Sequence, residues 1–158
     1  MRILNVLIGL VIFLLGFVAA LCLSYNSSFE KPSLLGTEKD SISPPDYLGE
    51  DNIFVYPDRV VLRITGASIS NYGSTGSMKP VLDSDSNGIR IKPNSESQIK
   101  VGSIVTFKRG NELIVHRVID KGEDNEGIYF ITKGDNNEFS DGKIRFSEIE
   151  YITVGILY

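Results

Sequence analysis

Four residues between positions 77 and 141 combine the groups that peptide hydrolysis by a serine requires. Ser77 stands in "GSMKP", and the single histidine of the chain, His116, stands in "ELIVHRVI". Asp135 lies in "KGDNN" and Asp141 in "SDGK". The reaction needs a hydroxyl nucleophile, a base to take its proton, and donors for the oxyanion that forms. The set therefore predicts acyl-transfer chemistry at a serine.

Each of these residues, taken alone, also has a purely structural interpretation. A lone histidine on an apolar strand is commonly a hydrogen-bonded core residue. Gly-Asp and Asp-Gly pairs are common in turns, and "STGS" is ordinary loop sequence. The combination and order of the residues favour a catalytic interpretation over these separate ones.

Four segments follow one another in the chain: "GSMKPVL", "VGSIVTF", "IVHRVI", and "ITKGDNN" with "SDG" shortly after it. Their order and spacing resemble the sequence boxes of type I signal peptidases. The likeness is to the archaeal and endoplasmic-reticulum branch, where histidine replaces the lysine base of the bacterial branch. Four ordered boxes are specific where one would be weak. The resemblance covers roughly residues 60–158 and implies a serine endopeptidase that removes signal peptides from secretory precursors.

The resemblance also implies a role for each candidate residue. Ser77 matches the nucleophile, His116 the general base, and Asp141 the aspartate that completes a triad. Asp135 matches a second important aspartate, which either supports the histidine or orders its loop. Thr75 falls where related enzymes carry a hydroxyl that stabilises the oxyanion together with the backbone N–H of the nucleophile. We expect neither a metal nor a cofactor.

Substrate-binding residues are not assigned by this resemblance, although it implies small side chains at the first and third positions before the cut. The apolar residues after the nucleophile, Met78, Val81 and Leu82, have two interpretations. They contact substrate or bilayer, or they belong to the protein core, and we favour the core. Two departures from the family pattern stand out. The loop "VLDSDSNG" is altered, and Ser103 replaces the usual aspartate of "VGSIVTF".

Short β-rich segments surround these positions and predict a mainly β fold, a signal-peptidase-like domain of short strands. The predicted strands are "RVVLRIT" (59–65), "GIRIKP" (88–93), "SIVTFK" (103–108), "ELIVHRVI" (112–119), "GIYFITK" (127–133) and "YITVGIL" (151–157). β-branched and aromatic residues dominate these segments, and no long stretch has helical spacing. Alternation along 112–119 places Ile114, His116 and Val118 on one face of the strand.

Residues 3–23, "ILNVLIGLVIFLLGFVAALCL", carry no charge. A helix of this length spans about 30 Å, the thickness of a bilayer's hydrocarbon core. We predict an uncleaved transmembrane anchor at 1–23, a polar tether at 24–52 and a β-rich catalytic domain at 53–158. Arg2 precedes the apolar run, whereas 24–52 carries two lysines and six acidic residues. This bias predicts a cytoplasmic amino terminus, with the β domain on the exterior or lumenal side of a cell membrane.

Composition limits the partners of the chain. A net charge of −4 and a pI near 5.0 offer no basic surface for nucleic acid. The single cysteine rules out an intramolecular disulfide. The expected partners are secretory precursors and the lipid bilayer, and the oligomeric state stays open.

Three other functions fit parts of the sequence. The first is a catalytically silent, membrane-anchored β domain that binds partners, which the altered loop favours. The second is a pilin-like subunit, but "MRILNVLIGL" lacks the basic-glycine processing site and the glutamate of that class. The third is a protease dedicated to a pilin or another surface protein.

Overall fold

Nine β-strands and three short 3₁₀ helices lie within residues 42–158, the part of the chain that the computed structural model describes. The strands are β1 (Ile53–Val55), β2 (Val60–Leu62), β3 (Ser68–Asn71), β4 (Asn87–Ile91), β5 (Ile104–Arg109), β6 (Glu112–Asp124), β7 (Gly127–Lys133), β8 (Gly142–Arg145) and β9 (Ile149–Leu157). The 3₁₀ helices are Glu50–Asn52, Glu96–Gln98 and Phe146–Glu148. The mainly β prediction is confirmed for this part of the chain.

Seven of these strands form one antiparallel sheet in the order β3-β4-β9-β5-β6-β7-β8, and β1 and β2 form a separate hairpin. The six strands predicted from alternation correspond to β2, β4, β5, β6, β7 and β9. The strands that the sequence did not predict, β1, β3 and β8, are only three or four residues long. β2 is equally short but lies within the longer β-rich segment 59–65. An isolated segment of three or four residues carries too few residues for a period of two to stand out.

Two apolar clusters hold the large sheet together. Val105 and Phe107 of β5 lie in the larger cluster, with Phe130, Ile144 and Ile152. Ile104, one residue earlier on β5, belongs to a smaller cluster. Successive side chains of a strand point to opposite faces, so the two clusters lie on opposite sides of β5.

Tyr47, in the described part of the predicted tether, packs against the larger cluster. Its hydroxyl donates to the carbonyl of Gln98 and hydrogen bonds to Ser103 Oγ. Ser103 is fully buried and its Oγ also accepts the backbone N–H of Lys100. Ser103, where the sequence resemblance leads us to expect an aspartate, therefore helps to form the turn that leads into β5.

The predicted anchor at 1–23 and most of the predicted tether lie outside the described residues. Within residues 42–158, no helix has the length and apolar character needed to cross a membrane. The predicted domain boundaries and the membrane topology stay predictions.

Candidate active site

Ser77 lies in the loop between β3 and β4, directly after a residue with left-handed backbone conformation. Gly76 has a φ of 71°, which side chains other than glycine rarely tolerate. Just beyond Ser77, Met78 and Leu82 are 4% and 3% exposed and pack against Ile104 in the smaller cluster. They anchor the serine loop to the sheet, which agrees with the core interpretation of these residues.

The loop that follows the serine is closed by its own side chains. Ser86 Oγ accepts the backbone N–H of Asp83 and donates to its carbonyl, both at 2.8 Å. Lys79 forms an ion pair with Asp83 at 2.8 Å. The hydrogen bond within this pair raises the pKa of Lys79 and lowers the pKa of Asp83. Because Asp83 favours the charged form of Lys79, this lysine is poorly suited to act as a base.

His116 lies in β6 opposite Val105 of β5, and only 6% of its surface is exposed. Its Nε2 is 3.2 Å from Ser77 Oγ, within hydrogen-bond range. Its ring also packs beside Phe107, with 6.4 Å between the ring centroids. The neighbouring residues Ile114 and Val118 pack in the larger cluster, as alternation along the strand predicts.

Asp141 directly precedes β8 and reaches the other ring nitrogen of the histidine. Its Oδ2 is 2.7 Å from His116 Nδ1 and also accepts the hydroxyl of Thr132, at 2.8 Å. The backbone of Asp141 is fixed as well, because its N–H donates to the carbonyl of Thr132 and its carbonyl accepts from Arg109. A loop residue, a strand residue and a second loop residue thus form one hydrogen-bonded row, Ser77–His116–Asp141.

Asp135 is directed away from the histidine. Its two carboxylate oxygens accept Nε and Nη2 of Arg117, both at 2.7 Å. Arg117 is 8% exposed, follows His116 on the opposite face of β6, and also donates to the carbonyl of Gly102. Of the two alternatives for Asp135, this geometry favours ordering of the loop over direct support of His116.

Thr75 lies beside the serine. Its Oγ1 is 3.2 Å from Ser77 Oγ and 3.4 Å from the backbone N of Ser77. The distance of 3.4 Å is long for a hydrogen bond, so the N–H of Ser77 donates only a weak hydrogen bond to Thr75 Oγ1. The threonine hydroxyl and this N–H lie together where the sequence resemblance places an oxyanion site.

A pocket of about 310 Å³ opens next to Ser77. The loop 72–78 and Leu82 line one side, and the first residues of β6, from Glu112 to Val115, line the other. Tyr72 lies at this wall, where burial raises the pKa of its phenol above the usual value even though Thr153 hydrogen bonds to it. The lining side chains Tyr72, Met78, Leu82 and Val115 make the pocket mostly apolar.

Within residues 42–158, the first part of β6 pairs with a neighbouring strand on one edge only. β6 pairs with β5 from Glu112 onward, but its pairing with β7 begins only at Arg117. Within the described residues, no strand pairs with 112–116 on the β7 side. Unpaired backbone groups at a sheet edge bind an added extended chain. The edge beside the pocket can therefore accept a peptide.

The site has the composition of a serine hydrolase. A histidine that contacts a serine hydroxyl through Nε2 and a carboxylate through Nδ1 can remove the serine proton, because the carboxylate stabilises the imidazolium that forms. The apolar pocket and the free edge of β6 lie next to the hydroxyl. The arrangement has the geometry that attack of a serine hydroxyl on the carbonyl of an extended peptide requires.

Parts of the chain are similar to known signal peptidases. Over 49 residues, 29% of this chain, it is 55% identical to the signal peptidase complex catalytic subunit SEC11C of Homo sapiens, of which 26% is covered. Over 69 residues, 42% of this chain, it is 36% identical to the catalytic subunit SEC11 of Clavispora lusitaniae, of which 40% is covered. Over 94 residues, 59% of this chain, it is 28% identical to signal peptidase I W of Bacillus subtilis, of which 43% is covered.

The chain thus spans about a quarter of the human relative and less than half of the other two. No family model matches the chain. No solved structure matches it. The partial matches support a relationship to the signal peptidase I family, and the assignment to the archaeal and endoplasmic-reticulum branch stays a prediction.

Sequence reasoning missed four residues that hold the site together. They are Arg109 and Thr132, which bind Asp141, Arg117, which binds Asp135, and Asn136, which binds the serine loop. Asn136 lies in the quoted "GDNN", so its motif was visible although its partner was not. The contacts of Arg109 and Thr132 depend on strand register, which residue types alone do not specify.

Proposed function

We propose that this chain is a membrane-anchored serine endopeptidase of the signal peptidase I family, of the archaeal and endoplasmic-reticulum type. It would remove signal peptides from secretory precursors. The observation that carries the proposal is the hydrogen-bonded row Ser77–His116–Asp141 beside an apolar pocket. The partial similarity to proteins named as signal peptidases supports the choice of substrate class.

In the proposed reaction His116 takes the proton of Ser77 as Oγ attacks the carbonyl carbon of the scissile peptide. The oxyanion that develops accepts hydrogen bonds from the backbone N–H of Ser77 and the hydroxyl of Thr75. Collapse of this intermediate breaks the C–N bond, and His116 gives its proton to the leaving amine. Water, activated by the same histidine, then hydrolyses the acyl-enzyme. No metal or cofactor takes part.

Asp141 keeps the Nδ1 proton of His116 in place, so that Nε2 faces the serine with its lone pair. It also stabilises the imidazolium during the attack without taking the proton itself. The 2.7 Å contact and the second hydrogen bond from Thr132 fix the carboxylate in this orientation.

The precursor binds in extended form along the free edge of 112–116, which brings its backbone past Ser77. Its side chains before the cut enter the pocket between loop 72–78 and β6. If the predicted anchor holds the domain at the bilayer, enzyme and precursor meet at the same depth. This confinement raises their effective concentration.

The test presents the full chain, in lipid vesicles, with several membrane-inserted precursors and maps the amino terminus of each product. We expect one cut on the carboxyl side of the apolar signal helix. A matched precursor with bulky residues at the first and third positions before that cut serves as the control and should not be cleaved. Folded wild-type chain that cleaves none of the precursors would instead support a silent binding domain. Cleavage restricted to one pilin or surface protein would identify a dedicated protease.

A further inference from the structure

The turn 134–137, "GDNN", lies directly against the serine loop. The backbone N–H of Asn136 donates to the carbonyl of Ser77 at 2.9 Å, and its side-chain Nδ2 donates to the carbonyl of Gly76 at 3.1 Å. A carbonyl oxygen only accepts, so the NH₂ end of the Asn136 amide must face it. One residue thus holds two successive carbonyls of the loop that carries the nucleophile.

The carbonyl of Gly76 and the N–H of Ser77 belong to the same peptide unit. This unit is planar and trans, so its C=O and N–H point in opposite directions. Fixing the oxygen of Gly76 from one side therefore fixes the direction of the Ser77 N–H on the other. That N–H is the backbone donor of the proposed oxyanion site.

From this geometry we infer that Asn136 is a positioning residue for the oxyanion site, an inference that rests on the proposed function. Its side chain orients the Gly76–Ser77 peptide so that the Ser77 N–H points at the developing oxyanion. Pre-oriented donors stabilise a transition state more than a ground state. Asn136 should therefore act on kcat rather than on substrate binding.

The position of Asn136 is itself fixed by its neighbours. Asp135 is held by Arg117 through two hydrogen bonds, and the N–H of Asn137 closes the turn on the carbonyl of Gly134. Gly134 lies so close to the serine loop that a Cβ atom there would stand 2.6 Å from the Ser77 carbonyl. The turn is a rigid support against which the serine loop rests.

A second donor reaches the same oxygen of Gly76. The backbone N–H of Lys79 contacts it at 3.2 Å, a longer distance than that from Asn136. Loss of the Asn136 side chain therefore weakens the orientation without abolishing it. We expect an effect on the order of tenfold, the size of one net hydrogen bond.

The test compares precursor cleavage by the full wild-type chain, Asn136→Ala, Asn136→Asp and the control Asn137→Ala. The aspartate variant keeps the shape and the backbone N–H but cannot donate to Gly76. We expect Asn136→Ala to lower kcat about tenfold and Asn136→Asp at least as much, because its carboxylate also repels the Gly76 carbonyl. KM should stay within about twofold of wild type, and the melting temperature should fall by about 5 °C or less. Asn137→Ala, from the same turn, should keep wild-type kcat.

Three outcomes would overturn the inference. They are an unchanged kcat in both Asn136 variants, an effect confined to KM, or an equal loss in Asn137→Ala. If Asn136→Ala is unstable, Asn136→Asp carries the comparison. A wild-type chain that cleaves no precursor would remove the proposed function, and this inference would fall with it. Wild-type cleavage combined with fully active Asn136 variants would remove the inference alone.

Discussion

Replacing Asp141 and Asp135 separately by asparagine should produce two different defects. Asp141 contacts His116 Nδ1, whereas Asp135 contacts Arg117. Asparagine has nearly the shape of aspartate but lacks the charge and presents an NH₂ group on one side. The first substitution should impair catalysis and the second should impair stability.

For Asp141→Asn, one amide atom replaces Oδ2, which contacts both His116 Nδ1 and the hydroxyl of Thr132. An NH₂ group there would favour the wrong tautomer of His116 and lose the Thr132 hydrogen bond, whereas an oxygen there would keep both contacts but carry no charge to stabilise the imidazolium. In a serine triad a change of this kind lowers kcat by about 10⁴-fold. The fold should lose about 1 kcal/mol, since the substitution alters the hydrogen bonds of one partly exposed carboxylate.

For Asp135→Asn, the guanidinium of Arg117 stays almost fully buried, at 8% exposure, without a counter-charge. Breaking a buried ion pair by removing one partner typically costs 3 to 5 kcal/mol, and asparagine retains one acceptor, so about 3 kcal/mol is expected. For a domain of this size that corresponds to a fall of roughly 12 °C in melting temperature. Catalysis should decrease less than in Asp141→Asn, since His116 keeps its carboxylate.

The assay measures kcat on a membrane-inserted precursor for both variants, at a temperature well below the melting temperature of the less stable variant. Circular dichroism gives the melting temperature of each. Small and equal losses of kcat in the two variants would refute the assignment of Asp141 to His116. A stable Asp135→Asn variant with a 10⁴-fold lower kcat would assign Asp135 to catalysis instead.

Three further predictions concern the serine loop and a charged cluster on β6 and β8. Thr75→Val should slow precursor cleavage by about 10- to 1,000-fold with the fold intact, because a hydrogen-bond donor to the oxyanion is lost. An unchanged cleavage rate would show that Thr75 has no part in the mechanism. Gly134→Ala should lower kcat at least severalfold, since its Cβ would stand 2.6 Å from the Ser77 carbonyl and must displace the serine loop; a fully active variant would show that the loop tolerates this shift. Hydrogen bonds from Lys143 and Arg145 hold the pKa of Asp124 below its usual range. The charged carboxylate therefore stabilises the fold at pH values above its unfolded pKa of about 3.9, and this stabilisation is lost as the pH falls below that value. The difference in melting temperature between wild type and Asp124→Asn should therefore shrink between pH 5 and about pH 2, and a pH-independent difference would contradict the ion-pair explanation.

The sequence predicted the parts of the fold that depend on local pattern. Alternation in "ELIVHRVI" and "GIYFITK" marks β6 and β7 because each strand is long and half-buried. The order of the motifs placed Ser77, His116 and Asp141 in one proposed site, and the structure brings these three side chains within hydrogen-bond distance. Their catalytic roles stay predictions.

The supporting contacts could not be predicted, because they depend on register. The register between β6 and β7 shifts between Val118 and Asp120, so Arg117 pairs with Lys133 and not with Gly134, the partner that counting from the hairpin would give. The contact of Asn136 with Gly76 joins two loops that are 60 residues apart. Long-range loop contacts of this kind leave no periodic trace in the sequence.

The most direct test of the central claim is the rate at which Ser77→Ala cleaves a membrane-inserted precursor that the wild-type chain cleaves. Circular dichroism must show the same fold for both proteins. Our account predicts that the folded variant yields no detectable product, because the nucleophile is gone while the pocket and the β6 edge remain. Cleavage by folded Ser77→Ala at a rate near that of wild type would contradict the assignment of Ser77 as the nucleophile.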